Sequence, residues 1–147
     1  MKTKRLLLTS DLSPDALRPL EGVRAFAVGL GFEVTLLHVV EIIAVAPPGG
    51  EMSPPVRPAD VPGEEAKARE ALEKQAADLD GIKVSTDVIH SQDVAGAVCD
   101  YAEDHEIDLI ALSSHGRTGF RRLVLGSVTE QILRHTSVPV MVFPRKD

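Results

Sequence analysis

The sequence has little cysteine, no long apolar run and no excess of positive charge, and each shortage removes a class of protein. A single cysteine, Cys99, leaves no internal disulfide and no multi-cysteine metal site, and makes a reducing cytoplasm the natural setting. No apolar stretch approaches the roughly twenty residues of a membrane span. Met1-Lys2-Thr3-Lys4-Arg5 has the look of a basic leader, but Leu6-Leu7-Leu8 gives way at once to Thr9-Ser10-Asp11, so no signal segment is expected. Sixteen Lys and Arg stand against 22 Asp and Glu, for a net charge of −6. A phosphate backbone demands clustered Lys and Arg, so this balance argues against nucleic acid as a main partner, and with no apolar span no membrane partner is expected. Three catalytic or cofactor signatures are also absent: a Walker lysine, a Gly-x-Gly-x-x-Gly fingerprint and a Gly-x-Ser-x-Gly elbow.

What is present is an alternation of strand and helix over 147 residues, a length that suits one domain, 1–147, with a sizeable core. Lys4 to Thr9 reads as a buried strand. Ser13 and Pro14 open a helix as cap and first residue, and Leu20, Val23, Ala27 and Leu30 continue it at helical spacing. Pro19 requires that helix either to begin near it or to kink in its first turns. Gly29-Leu30-Gly31 ends the helix, and Glu33 to Val40 is a second strand. Ala46 to Pro62, with six prolines and two glycines, reads as an irregular surface loop. Gly63 to Asp80 is a helix rich in Ala, Glu and Lys, with Leu72 and Leu79 as its inward bulk and otherwise a solvated face. Ile82 to Ile89 alternates like an edge strand, Asp93 to Glu103 is a helix, and Leu109 to Leu112 is a fourth strand. Ser127 to His135 is the last helix and Val138 to Phe143 the fifth strand.

Five such alternations imply an open, five-stranded parallel sheet with helices on both faces, joined by right-handed crossovers in the order 3-2-1-4-5. The first and fourth strands then lie side by side with connections leaving in opposite directions, the switch point at which such α/β sheets bind ligands. Thr9, Ser10 and Asp11 follow the first strand there, and Ser113, Ser114, His115 and Gly116 follow the fourth. Between the fourth strand and the last helix the chain runs through Arg117-Thr118-Gly119 and Arg121-Arg122 to Gly126-Ser127. Ser127 and Glu130 have capping-box spacing. A strand, a loop of small residues and a helix N-terminus make an anion site, because outward N–H groups and the helix dipole both favour negative charge.

The spacing Ser113-x2-Gly116-x9-Gly126-Ser127 resembles the Gly-x2-Gly-x9-Gly-Ser/Thr motif of ATP-binding universal stress proteins, with serine in place of the first glycine. The resemblance runs from Asp11 to the terminal Val-Pro-Val-Met-Val-Phe strand. It implies a Rossmann-like fold and a stress-response regulatory module that binds ATP, with Mg²⁺ held largely by the triphosphate. Carried across residue by residue, it places Val39 against the adenine through backbone groups. Thr9, Ser10 and Asp11 line the adenosine side, with Asp11 near the ribose or a metal–phosphate cluster. Ser113 lies beside the ribose, and Gly116 and the Arg117-Thr118-Gly119 turn wrap the phosphates, with Ser114 and His115 among the binding residues. Gly126, Ser127, Val128 and Thr129 supply the helix N-terminus. A homodimer through Val138 to Phe143 is implied as well, and a bare apolar edge strand is expected to pair on physical grounds alone.

Several residues carry two readings. Asp11 either touches ligand or orders its own loop through an Asx-turn. The Ser127 hydroxyl either meets phosphate or caps its helix, and Arg121 and Arg122 either steer phosphate or are solvated. His38 reads as a packed core histidine and Cys99 as a small buried hydrophobe. His90, His105 and His135 show no ligand spacing, so no protein metal site is expected. The loop offers charge stabilisation without a positioned nucleophile, so any ATP hydrolysis is expected to be slow. The competing readings are a slow ATPase or adenylyl-transferring enzyme using His115 and Asp11, and a dimeric interaction module that binds no nucleotide. Cyclic AMP lacks the triphosphate that the Gly126 helix end would hold, and is expected to bind weakly.

Overall fold

The computed structural model describes residues 2–42, 61–114 and 125–144. Strand β1 (Lys4–Thr9) leads through a short 3-10 turn (Pro14–Leu17) into α1 (Arg18–Leu30). There follow β2 (Phe32–Glu41), α2 (Val61–Ala77), β3 (Val84–Ser91), α3 (Val94–Asp104), β4 (Leu109–Ser113), α4 (Ser127–His135) and β5 (Val140–Phe143). The sheet is parallel throughout, in the order β3-β2-β1-β4-β5. That is the order the alternation implies, and it puts β1 and β4 side by side, with Leu6 opposite Leu109 and Leu8 opposite Ala111.

The middle strand is buried on both faces: Leu6, Leu7 and Leu8 are each 0% exposed. Because successive side chains point to opposite faces, Leu6 and Leu8 join a core with Val34, Leu36, Leu20, Val23 and Leu72. Leu7 joins Leu37, Ile110, Leu112, Val98 and Ile132 in a second core on the other face. Cys99 belongs to the second core. Burial first, and then the carboxylates of Asp100, Glu103 and Asp93, push its thiol pKa up.

Local chemistry sets the ends of the elements. The α-helix proper begins at Arg18, so Pro19 lies in its first turn, where a missing N–H costs nothing. Gly31, at φ +71°, closes α1 in the left-handed conformation and donates its N–H to Ala27 O at 2.8 Å. Asp93 caps α3 by accepting from Gly96 N–H at 3.0 Å. Gly22 brings α1 against the end of β5, where any Cβ would meet the Phe143 ring.

Several element boundaries differ from the sequence reading, three of them for a clear local reason. The edge strand runs from Val84 to Ser91 rather than from Ile82, because Gly81 at φ +84° turns the chain and Lys83 O makes the first ladder bond, to Val34 N–H. The last strand starts at Val140, since Pro139 has no N–H to donate, although its carbonyl accepts from Ile110 N–H at 2.9 Å. Helix α2 starts at Val61 and so takes the last two residues of the expected proline-rich loop; the rest of that loop, residues 46–60, lies outside the described residues.

At the β3 edge, Asp87 accepts the Val88 N–H at 2.9 Å with one carboxylate oxygen and the Tyr101 hydroxyl at 3.0 Å with the other. A charged side chain folded onto its own edge discourages strand addition. Burial, followed by the Asp87 hydrogen bond and charge, pushes the Tyr101 phenol well above its ordinary range. The folded-state pKa exceeds the unfolded one, so this contribution to stability is complete below about pH 10 and falls as pH rises beyond it. Tyr101 is the sole tyrosine, so phenolate absorbance reports on it directly. Alkaline titration is expected to show ionisation only together with unfolding; Asp87→Asn should bring the onset to lower pH.

Candidate functional site

The carboxyl ends of β1 and β4 open on one side of the sheet, and each strand end is locked by hydrogen bonds. Past β1, Ser10 is buried and all its polar atoms are engaged. Its N–H donates to Leu37 O at 2.8 Å, and its carbonyl lies 2.8 Å from His38 Nδ1. A carbonyl can only accept, so Nδ1 carries the proton. The Ser10 hydroxyl donates to Gln75 Oε1 at 2.6 Å and accepts the Leu12 N–H at 3.1 Å. Leu12 is held at φ +65°, a conformation that leucine rarely adopts. Asp11 Oδ1 accepts both the N–H and the hydroxyl of Ser13, so one of its oxygens orders its own loop, as the Asx-turn reading has it. Thr9 closes β1, half-buried, opposite Leu37.

Strand β2 runs on past the end of β1. Leu37 turns its carbonyl toward Ser10, and in a parallel strand the alternate residue, Val39, turns its backbone groups the same way. Val39 pairs with Ile89 in the ladder but lies beyond the last β1 pairing, so its N–H and C=O face the crevice.

On the β4 side, Ser113 pairs with Phe143, and its carbonyl accepts from Thr129 Oγ1 at 3.3 Å. Ser114 is buried; its N–H donates to Phe143 O at 3.0 Å, and its carbonyl accepts the Gly126 N–H at 3.1 Å. That last bond is a neck. It ties the strand end to the start of α4 and fixes the helix N-terminus beside the crevice. His115, Gly116, Arg117, Thr118 and Gly119, together with Arg121 and Arg122, lie outside the described residues.

The capping box does not form. Gly126 occupies the cap position, without a side chain to offer, and Ser127 becomes the first helical residue. Glu130 therefore stands out of register for reaching back, and pairs with Arg134 at 2.6 Å. The first bond of the helix ladder is Glu130 N–H to Gly126 O, so the amides of Ser127, Val128 and Thr129 precede the ladder. The Gly126 amide itself is committed to Ser114. Ser127 and Val128 are exposed, while Thr129 is buried against Ser113.

Gln75 was not singled out from the sequence, and His38 was read only as core. A signal for the first was present: Ala68, Leu72, Gln75 and Leu79 recur at helical spacing, which places Gln75 on the inward stripe of α2. A separate open groove of about 410 Å³ lies between β3 and α3, rimmed by Asp93, Asp100 and Asp104. It is separated from β1 by β2, and its acidic rim disfavours phosphate. Among the described residues no three His, Cys, Asp or Glu side chains gather as a metal site, and no helix is long and apolar enough to cross a membrane.

The model of the Universal stress protein family matches residues 2–144. Universal stress protein MJ0577 from Methanocaldococcus jannaschii is 32% identical, with 98% of this chain and 96% of that protein aligned. Its solved structure superposes with a TM-score of 0.72 over 100% of this chain and 99% of that chain, at 26% identity. A universal stress protein from Archaeoglobus fulgidus solved in complex with dAMP superposes at 0.68, with 19% identity over 96% of this chain and 97% of that one. Another universal stress protein, solved in complex with cAMP, superposes at 0.65, with 16% identity over 98% of each chain. The two complexes share the fold of this chain.

Replacing His38 by phenylalanine, which preserves a flat ring and removes the donor, leaves the buried Ser10 carbonyl without that bond. Urea unfolding of His38→Phe is expected to show a loss of about 1–3 kcal/mol.

Proposed function

This chain belongs to the universal stress protein family, and we propose that it is a nucleotide-binding regulatory module whose ligand is ATP. The observation that carries this reading is the neck between Ser114 O and Gly126 N–H. It supports putting the amides of Ser127, Val128 and Thr129 beside the carboxyl end of β4, at the switch point. Such a helix start suits phosphate through its N–H groups and its dipole. Backbone donors and acceptors at Val39 suit the edge of a base. His115, Gly116, Arg117, Thr118 and Gly119 complete the phosphate loop in this reading, with Thr9, Asp11 and Ser113 on the nucleoside side. The family relatives solved with cAMP and dAMP support an adenine nucleotide as the class of ligand.

Mg²⁺ would enter with the triphosphate, whose oxygens suit a hard cation that keeps several of its waters. Asp11 brings a carboxylate to the loop after β1, and with one oxygen turned to Ser13 it does not by itself make a cage. Mg²⁺ would neutralise phosphate charge; binding and orientation fall to the amides of α4 and the loop after β1. We assign the whole chain to one domain, and no residue to a catalytic role.

We also propose a homodimer through Val138 to Phe143. The strand β5 ends the sheet opposite β3, and its four residues are all half-buried. Among the described residues, β5 shows no counterpart of the Asp87 guard.

Thermal unfolding with and without Mg-ATP tests the site. A ligand at a hundred times its dissociation constant adds about 2.7 kcal/mol, expected here as a rise of roughly 5–10 °C. AMP and cyclic AMP should give smaller rises. Gly126→Asp, which puts a carboxylate at the helix start without straining a backbone already at φ −57°, should abolish the ATP effect while leaving the protein folded. Absence of any shift in nucleotide-free wild-type protein would instead support an interaction module. Light scattering is expected to give twice the monomer mass; a strict monomer removes the β5 dimer.

A further inference from the structure

We propose that Gln75 is a positioning residue for the nucleotide crevice, setting the loop after β1 through the Ser10 hydroxyl and thereby coupling α2 to the ligand. The inference rests on the nucleotide reading of the crevice and adds to it a residue from a different element.

The physical basis is the orientation of one hydroxyl. Ser10 Oγ could turn its proton in several directions, but Gln75 Oε1 at 2.6 Å takes it. The oxygen lone pairs are then directed at the Leu12 N–H, 3.1 Å away. Leu12 pays for its left-handed φ of +65° with local strain, which persists only where the surroundings over-determine it. Those surroundings are the Ser10 hydroxyl and the packing of the Leu12 side chain on the core that α1 and α2 share. The backbone from Ser10 to Leu12 is thus held in a form set in part by a side chain that is 65 residues away in sequence.

Helix α2 docks on β2 and β3 along one apolar face. Its buried residues are Ala68 and Leu72, with Ala76 packed on the same core; its surface carries the pairs Glu65–Arg69 and Glu70–Lys74, and Glu65 also lies 3.8 Å from His90 Nε2 of β3. Exposed pairs of this kind contribute little. The bond from Gln75 to a buried hydroxyl adds a directional tie to this packing and joins α2 to the loop after β1. Linkage makes the effect reciprocal: a ligand that requires the loop in this form stabilises the docked helix in return.

The test uses the full chain, Mg-ATP binding by calorimetry, and amide hydrogen exchange. In the wild type, Mg-ATP is expected to slow exchange at Leu12 and along Val61–Ala77. Gln75→Leu, similar in size but without an acceptor, should bind Mg-ATP about tenfold more weakly and lose the ligand-dependent protection of α2. Gln75→Glu keeps an acceptor and should restore binding of adenosine, a probe without phosphate charge. Ser10→Ala severs the same bond from its other end and serves if Gln75→Leu does not fold; the double variant should bind no more weakly than either single one. Wild-type affinity in Gln75→Leu, or no ATP-dependent protection of α2 in the wild type, overturns the inference alone. A wild-type chain that binds no nucleotide overturns the reading of the crevice and this inference with it.

Discussion

Burial of β1 on both faces is the constraint on which the rest of the molecule depends. Three consecutive leucines, Leu6 to Leu8, are shut away from water, and this is possible only if helices cover both sides of the sheet. Parallel neighbours on either edge then follow, β2 on one side and β4 on the other. Crossovers of one hand must leave these neighbours in opposite directions. The helices cannot cover the point where they part, and the carboxyl ends of β1 and β4 are left as a crevice. The crevice is thus a consequence of how the core is closed.

A crevice at strand ends exposes backbone groups that have lost their ladder partners, and such groups must be satisfied or left to a ligand. The two sides solve this differently. After β1, Ser10 is saturated by Leu37, His38, Leu12 and Gln75, so the loop is a rigid wall. After β4, Ser114 is held by Phe143 and Gly126, and the amides that precede the helix ladder lie in the first turn of α4. Rigid backbone on one side and a helix start on the other is an arrangement suited to a ligand with a polar base and an anionic tail.

The two edges of the sheet are also unlike. On β3, Asp87 lies along its own strand and is fastened by Tyr101. On β5, four half-buried residues meet the surface, and Phe143 links the strand both to Ser114 and to Gly22 of α1. A contact made at β5 would therefore touch the residues that hold the crevice.

Periodicity and punctuation made much of this legible in the sequence alone. The spans of β1 and α4 were readable to the residue, because apolar runs bounded by Thr-Ser-Asp, by Gly-Ser and by His-Thr leave little choice. The strand order followed from alternation and handedness, and the crevice from the strand order. Chain ends of elements were less legible where the deciding bond comes from another strand, as at Lys83 and Pro139. The capping box failed for a related reason: Ser127 and Glu130 have the right spacing, but the bond from Gly126 N–H to Ser114 O shifts the cap by one residue. Sequence determined which faces are buried and where loops of small residues fall, because those depend on neighbours a few positions apart. Tertiary structure alone decided that His38 and Gln75 meet at Ser10, and that Asp87 turns to Val88 and Tyr101. Hydrogen bonds of this kind depend on distances between elements far apart in the chain, and no local pattern carries them.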